Sequence, residues 1–386
     1  MEFTGYIEGY FGRTLTWPQR RGIIDQLARL GMNRYLYAPK EDPYHRVRWK
    51  ESYPADWHDE LSNLASHAAR QGVTLVPALA PGLSYSYSSE SDYAVLLAKF
   101  RSYLEMGITE LALLMDDLPI SLPPGSGDGL KSLGHSHGRL LRRLQDDLRS
   151  ESPSIQIWFC PTVYSDHFVD GEVSECEYIL DLAGEIPPDI PIFWTGNDVI
   201  PPTIDGQSMG RIADAFQNNI IIWENYYAND YCPSRLFIGP IIGRDLNTVN
   251  SLRGYMINPT GLYETDRLLL SVTRSFLDGR GEGRAAWEGA VEDFELHPYA
   301  LAVAEYFWSP FTQVPEDFIS PELMNAMEDF YDALIVKWQN PLRLEWFPYL
   351  YGFMLEAQYL LFDKASDHLW IDRHFPAVIA EKLKKD

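Results

Sequence analysis

The chain of 386 residues sets 32 Lys and Arg against 55 Asp and Glu, a formal charge of −23, which excludes a nucleic-acid binder built on clustered cations and a protein docked on anionic lipid. Hydrophobic residues at 46% and charged ones at 23% are globular proportions, outside the disordered range. The three cysteines, Cys160, Cys176 and Cys232, are too few and too scattered for a disulfide framework or a zinc cluster.

From the N-terminus, residues 1–12 lack the basic head and apolar body of a signal peptide, so a cytoplasmic location is expected. Residues 4–10 read as a strand, after which Trp17-Pro18 opens a helix with Ile23, Ile24, Leu27 and Leu30 on one face and Gly31 as its stop. A second strand over 34–38 leads to a helix from Pro54 that carries Trp57, Leu61, Leu64, Ala65 and Ala68 and ends at Gly72. A third strand over 73–78 precedes a helix over 92–106. A fourth over 110–115 precedes a long loop and a basic helix over 138–149. Further strands are expected at 155–159, 190–194, 220–223 and 254–257, the last followed by a helix over 263–277 with Leu268, Leu269, Val272 and Phe276 inward.

Eight such units in series predict an α/β fold, a (β/α)8 TIM barrel, with a doubly wound sheet as the other architecture of this pattern. The seventh connection is poor in helix signal, being interrupted at Pro233 and Gly239-Pro240. A glycine-rich stretch over 278–284 divides the barrel, residues 1–278, from a smaller all-helical region, residues 279–386. In that region Leu323, Met327, Phe330, Leu334 and Trp338 form one helical stripe. Trp346, Leu350, Phe353, Met354, Ala357, Leu360 and Leu361 form another, which is packing core first and a homodimer seam second. No apolar run reaches the roughly 18 residues of a membrane helix.

Loops after the strands of such a barrel converge on one pocket, and unusual residues recur there. They are Gly9, Lys40, Asp116-Asp117, Tyr164, Trp223, Asn225, Asp230 and Asn258. Two adjacent carboxylates after the apolar run 111–115 would resist being charged together, which suits a division into acid and base for glycoside hydrolysis. They equally fit a divalent-metal pair or a helix-start cap. Lys40 is a ligand for an anion or hydroxyl, or an ordinary surface lysine. Trp223 is a platform for a sugar face or a core tryptophan. Asn225, Asp230 and Asn258 offer directional hydrogen bonds or simple turn chemistry, and Tyr164 is a site phenol or a satisfied core tyrosine. His135-Ser-His137 has no further His or Cys at ligand spacing, so no metal is expected there. Cys160 reads as a buried inert thiol. Aromatic residues at 13%, with 11 Trp and 23 Tyr, hint at a surface that handles sugars.

Eight segments in order resemble the motifs of the protein O-GlcNAcases, glycoside hydrolase family 84. They are Gly5-Tyr-Ile-Glu-Gly-Tyr-Phe-Gly12, Tyr35-Leu-Tyr-Ala-Pro-Lys-Glu-Asp42, Leu113-Leu-Met-Asp-Asp-Leu118, Phe159-Cys-Pro-Thr-Val-Tyr164, Trp194-Thr-Gly196, Ile222-Trp-Glu-Asn225, Ala228-Asn-Asp-Tyr231 and Ile257-Asn-Pro259. The chain departs from that pattern at Tyr10-Phe11-Gly12, where Phe-Tyr-Gly is usual, and at Glu224, where aspartate is common. The resemblance implies a retaining exo-β-N-acetylglucosaminidase that needs no metal or other cofactor and removes terminal GlcNAc, including O-GlcNAc on Ser or Thr of proteins, through an oxazoline. It implies that Asp116 orients the acetamide and Asp117 is acid and base. Tyr164 and Asn225 would secure the acetamido group, Trp223 would wall it, and Gly9, Lys40, Asp230 and Asn258 would hold the sugar hydroxyls. A hexosaminidase of free glycans or peptidoglycan fragments, and a silent GlcNAc-binding protein, are the readings left beside it.

Overall fold

The computed structural model describes residues 1–121, 131–217, 219–281, 283–296, 307–311 and 321–362. It falls into two compact units, the first of Met1–Asn225 with Gly243–Asn258 and the second of Tyr226–Ile242 with Pro259–Asp386. The first unit holds eight parallel strands: β1 (Phe3–Glu8), β2 (Arg34–Tyr37), β3 (Thr74–Leu79), β4 (Glu110–Leu114), β5 (Gln156–Cys160), β6 (Ile192–Trp194), β7 (Ile220–Glu224) and β8 (Gly254–Ile257). Each pairs with the next in chain order, and β1 closes on β8 through Tyr6↔Ile257. This is the (β/α)8 barrel.

Alternation along each strand decides what fills it. Phe3, Ile7, Leu36, Ala38, Val76, Ala78, Ala112, Leu114, Trp158, Cys160, Phe193, Ile221, Trp223 and Met256 pack into one buried cluster. Alanines from β3 and β4 thus share the interior with Trp158, Phe193 and Trp223, small residues making room for large ones. The opposite parity packs outward. Glu8 takes a two-pronged ion pair from Arg20 with a hydrogen bond from Tyr35 at 2.6 Å, and both charges are buried. Glu224 repeats the device with Arg244 at 2.9 Å and Tyr255 at 2.7 Å.

Helices α1 (Trp17–Arg29), α2 (Ala55–Arg70), α3 (Glu90–Glu105), α4 (Leu133–Glu151), α5 (Glu177–Glu185), α6 (Gly206–Ala215) and α7 (Leu246–Ser251) follow the strands. Thr16 and Gln19 form a capping box on α1. Helix α4 starts five residues before the expected 138, capped by Ser132, so His135 and His137 lie inside it. The seventh connection carries only the six-residue α7, in line with its weak helix signal.

In the second unit, α8 (Tyr263–Leu277) is followed by α9 (Arg284–Val291) and by helices Pro321–Asp332 and Leu342–Phe362. Glu345 caps α8, accepting from the Glu264 and Thr265 backbone N–H at 2.9 and 2.8 Å, and Trp346 donates to Thr265 Oγ1 at 2.9 Å. Met327, Trp338, Trp346, Leu350 and Phe353 are buried. The side chains of Leu323, Phe330, Leu334, Met354, Ala357, Leu360 and Leu361 lie outside the described residues. The grouping places α8 with the second unit, whereas the composition break lies beyond it at 278–284. No described helix is long and apolar enough to cross a membrane.

Candidate active site

The inward parity of the strands runs on past their C-terminal ends and selects the polar residues. Two steps after Ile7 comes Gly9, and two after Ala38 comes Lys40. Two after Leu114 comes Asp116, two after Trp223 comes Asn225, and two after Met256 comes Asn258. One face of the barrel therefore collects Lys, Asp, Asn and Trp above an apolar plug.

Lys40 Nζ donates to Asp116 Oδ2 at 2.7 Å, with the two side chains only 4% and 11% exposed. Burial alone would push the Asp116 carboxyl up. The Lys40 charge and hydrogen bond, the residue's own backbone N–H and Arg46 outweigh it and hold Asp116 below the usual 3.8. Asp117 is exposed and occupies the left-handed region at φ 58°, which breaks the alternation of an extended chain. The Asp117 side chain is thereby not committed to the face opposite Asp116, and Tyr164 donates to its Oδ1 at 3.0 Å. Burial and then the Asp117 and Asp116 charges push the Tyr164 hydroxyl well above its ordinary value, so it stays a donor. Phe168 meets the Tyr164 ring edge-on at 4.8 Å.

On the other side, Asn225 Oδ1 accepts from Trp223 Nε1 and from Asn258 Nδ2, both at 3.0 Å, while Asn225 Nδ2 donates to the Val199 carbonyl at 3.0 Å. These partners fix the orientation of the amide, and one Nδ2 hydrogen is left to donate. Asn258 Oδ1 accepts from the Gly9 N–H at 3.2 Å. Trp223 also lies edge-on to Phe193 at 5.2 Å. Gly9 is glycine for space, since a Cβ there would stand 2.6 Å from Trp223 Cζ2.

Eight of the nine residues read from the sequence thus stand at the strand ends of the first unit in two hydrogen-bonded sets. Lys40–Asp116 and Tyr164–Asp117, two pairs joined only through the adjacent aspartates of the chain, form one set; Gly9, Trp223, Asn225 and Asn258 form the other. The ninth, Asp230, lies in the second unit, where its carboxylate accepts from the Tyr231 N–H at 3.0 Å. Cys160 is buried and burial raises its thiol far above the ordinary value, so it is a core residue. His137 is enclosed between Tyr87 at 2.6 Å and Tyr178 at 2.8 Å, and burial lowers it to about 3. Glu224 faces Arg244 rather than Trp223's surroundings. The sequence reading missed Arg46, the Val199 carbonyl and Phe168. Only Arg46, a cation six residues after Lys40, left a signal in the residue types.

A family described as NAGidase, beta-N-acetylglucosaminidase, matches residues 4–306. The protein O-GlcNAcases of Rattus norvegicus and Mus musculus are each 29% identical over 262 residues, 68% of this chain. The chain spans only 28% of the length of those curated relatives. A solved mutant form of the Thermobaculum terrenum O-GlcNAc hydrolase superposes with a TM-score of 0.83 at 26% identity, covering 93% of this chain and 82% of that one.

Proposed function

The chain belongs to the beta-N-acetylglucosaminidase family, and from that membership we propose that it is a retaining exo-β-N-acetylglucosaminidase, a glycoside hydrolase that removes O-GlcNAc from Ser or Thr of proteins. The observation that carries this reading is the different surroundings of two neighbouring carboxylates. Asp116 is buried on Lys40 and held ionised, while Asp117 is exposed and touched by a neutral phenol. An ionised acceptor and an accessible proton carrier side by side suit a sugar that supplies its own nucleophile.

Asp116 accepts the acetamide N–H and turns the carbonyl oxygen toward the anomeric carbon. That oxygen forms the new C–O bond as the glycosidic C–O bond breaks, and Asp117 passes its proton to the leaving oxygen. In the second half, Asp117 takes a proton from the water that adds to the anomeric carbon, and the oxazoline opens. Both displacements invert, so configuration is retained. Tyr164 and the remaining Asn225 N–H hold the acetamido group, Trp223 walls it, and Asn258 with Gly9 and Lys40 meets the hydroxyls. The names of the similar proteins support the protein-bound substrate.

The same reading takes residues 1–278 as the catalytic part and the helices beyond as a seam between two copies, which the exposure of Val336 at 68% and Leu344 at 74% supports. The test is release of an aryl group from aryl β-GlcNAc, and of GlcNAc from an O-GlcNAc peptide, with and without chelator. Turnover of both, unchanged by chelator, is expected. No turnover would leave only a sugar binder, and turnover of free glycans alone would remove the protein substrate.

A further inference from the structure

The loop after β2 brings a second cation to the site. Arg46 Cζ lies 5.3 Å from the centre of the Phe11 ring, and Lys40 Nζ lies 5.4 Å from the same centre. Among the described residues no carboxylate stands within salt-bridge distance of Arg46, in a chain with 55 acidic residues. An ammonium and a guanidinium gathered on one ring repel each other, and the ring and the negative charge of Asp116, 2.7 Å from Lys40, offset that repulsion.

The loop holding Arg46 is tied down. Asp42 accepts from the hydroxyls of Tyr37 and Tyr53 at 3.0 and 2.8 Å and from the Tyr44 N–H at 2.8 Å. His45 donates from Nδ1 to the Ala78 carbonyl at 2.8 Å, and its own carbonyl accepts from Ala80. Arg46, half-buried, is therefore fixed on a tied-down loop over the same Phe11 ring as Lys40, the residue that pairs with Asp116.

We propose that Arg46, with the Phe11 ring, is a positioning residue that seats Lys40 on Asp116 and supplies a second, unneutralised positive charge keeping Asp116 ionised for the acetamide. This rests on Asp116 being the acetamide acceptor, as argued above. The groups facing Asp116 are Lys40, His45 and Arg46 from the loop after β2, Cys160 and Tyr164 from β5 and its loop, and Asp117 on its own chain. His45 is neutral, lowered to about 3 by burial above all, and Cys160 and Tyr164 are protonated. Near neutral pH the cations are thus Lys40 and Arg46. Removing one lets burial weigh more, and the Asp116 carboxyl then protonates at higher pH.

The measurement is the pH profile of kcat/KM on an aryl β-GlcNAc for wild type, Arg46→Gln, Arg46→Lys and Phe11→Leu, with Arg139→Gln, an exposed residue of α4, as a control. Arg46→Gln moves the acid limb up by roughly half a pH unit. Arg46→Lys restores it, Phe11→Leu shifts it in the same direction, and Arg139→Gln leaves it in place. A merely structural role would lower the yield of folded enzyme in the Gln and Leu variants and leave the limb where it was, and that outcome overturns the inference alone. Phe11 is 45% exposed, so Phe11→Leu reads the effect even where Arg46→Gln fails to fold. Absence of wild-type turnover overturns the function and this inference together.

Discussion

Asp117 and Gly9 make opposite demands on substitution. Asp117→Ala removes the proton donor and leaves Asp116 and its Lys40 partner in place. Turnover of aryl glycosides with good leaving groups should persist in part, while that of poor leaving groups falls by roughly 100-fold or more. A panel of aryl β-GlcNAc substrates with graded leaving-group pKa checks this, and equal loss across the panel would remove Asp117 as the acid. Gly9→Ala places a methyl group 2.6 Å from Trp223 Cζ2, so the ring must tilt and pull on Asn225. Overpacking of about 1–3 kcal/mol lowers Tm by several degrees, and the displaced Trp223 and Asn225 lower kcat/KM by roughly tenfold. At this scale the residue types were legible because strand parity carries them inward, as with Lys40, Asp116 and Asn258. The reason for Gly9 was not legible, because it is the ring of a residue more than two hundred positions away. The Val199 carbonyl left no trace either, since a backbone acceptor has no residue type.

Strands were easier to read than helices, and the physics says why. All eight strands are short, mostly apolar runs, and their observed ends lie within two residues of those expected. Helix α4 begins five residues before the expected 138, and its first turns hold two glycines, Gly134 and Gly138, which weaken any helix signal there. Both are glycine for closeness, since a Cβ would lie 2.2 Å from the Tyr178 carbonyl at Gly134 and 2.4 Å from Glu185 Cβ at Gly138. The outward side of the strands carries its own prediction. Glu224 and Arg244 are both fully buried and paired, and Glu224 adjoins Trp223 and Asn225. Arg244→Met leaves a buried carboxylate without its cation, the Tyr255 hydrogen bond remaining, and costs about 3–5 kcal/mol, whereas Arg244→Met with Glu224→Leu recovers much of the loss. Denaturant midpoints of the two variants check this; equal midpoints would show that the charge left behind carries no cost.

For the molecule as a whole, acid is the sensitive direction. Buried His45 and His137 both have folded values near 3 against 6.5 when exposed. The unfolded chain therefore takes up their protons first, and the stability they confer is complete above pH 6.5 and declines as pH falls toward 3. Between pH 7 and pH 5 each contributes a loss of about 2 kcal/mol. Asp116, held below 3.8, adds its own loss only below that pH. Chemical denaturation at pH 7, 6 and 5 should show the decline, and His137→Phe should roughly halve it; a midpoint level across this range would mean that the histidines take up protons as readily in the folded state as in the unfolded chain. The central claim is that the substrate's own amide attacks the anomeric carbon, held by Asp116. Its most direct test is kcat/KM for aryl β-glycosides bearing N-acetyl, N-fluoroacetyl, N-difluoroacetyl and N-trifluoroacetyl groups. A steep fall with each fluorine is predicted, because each weakens the carbonyl nucleophile, and a flat series would contradict it.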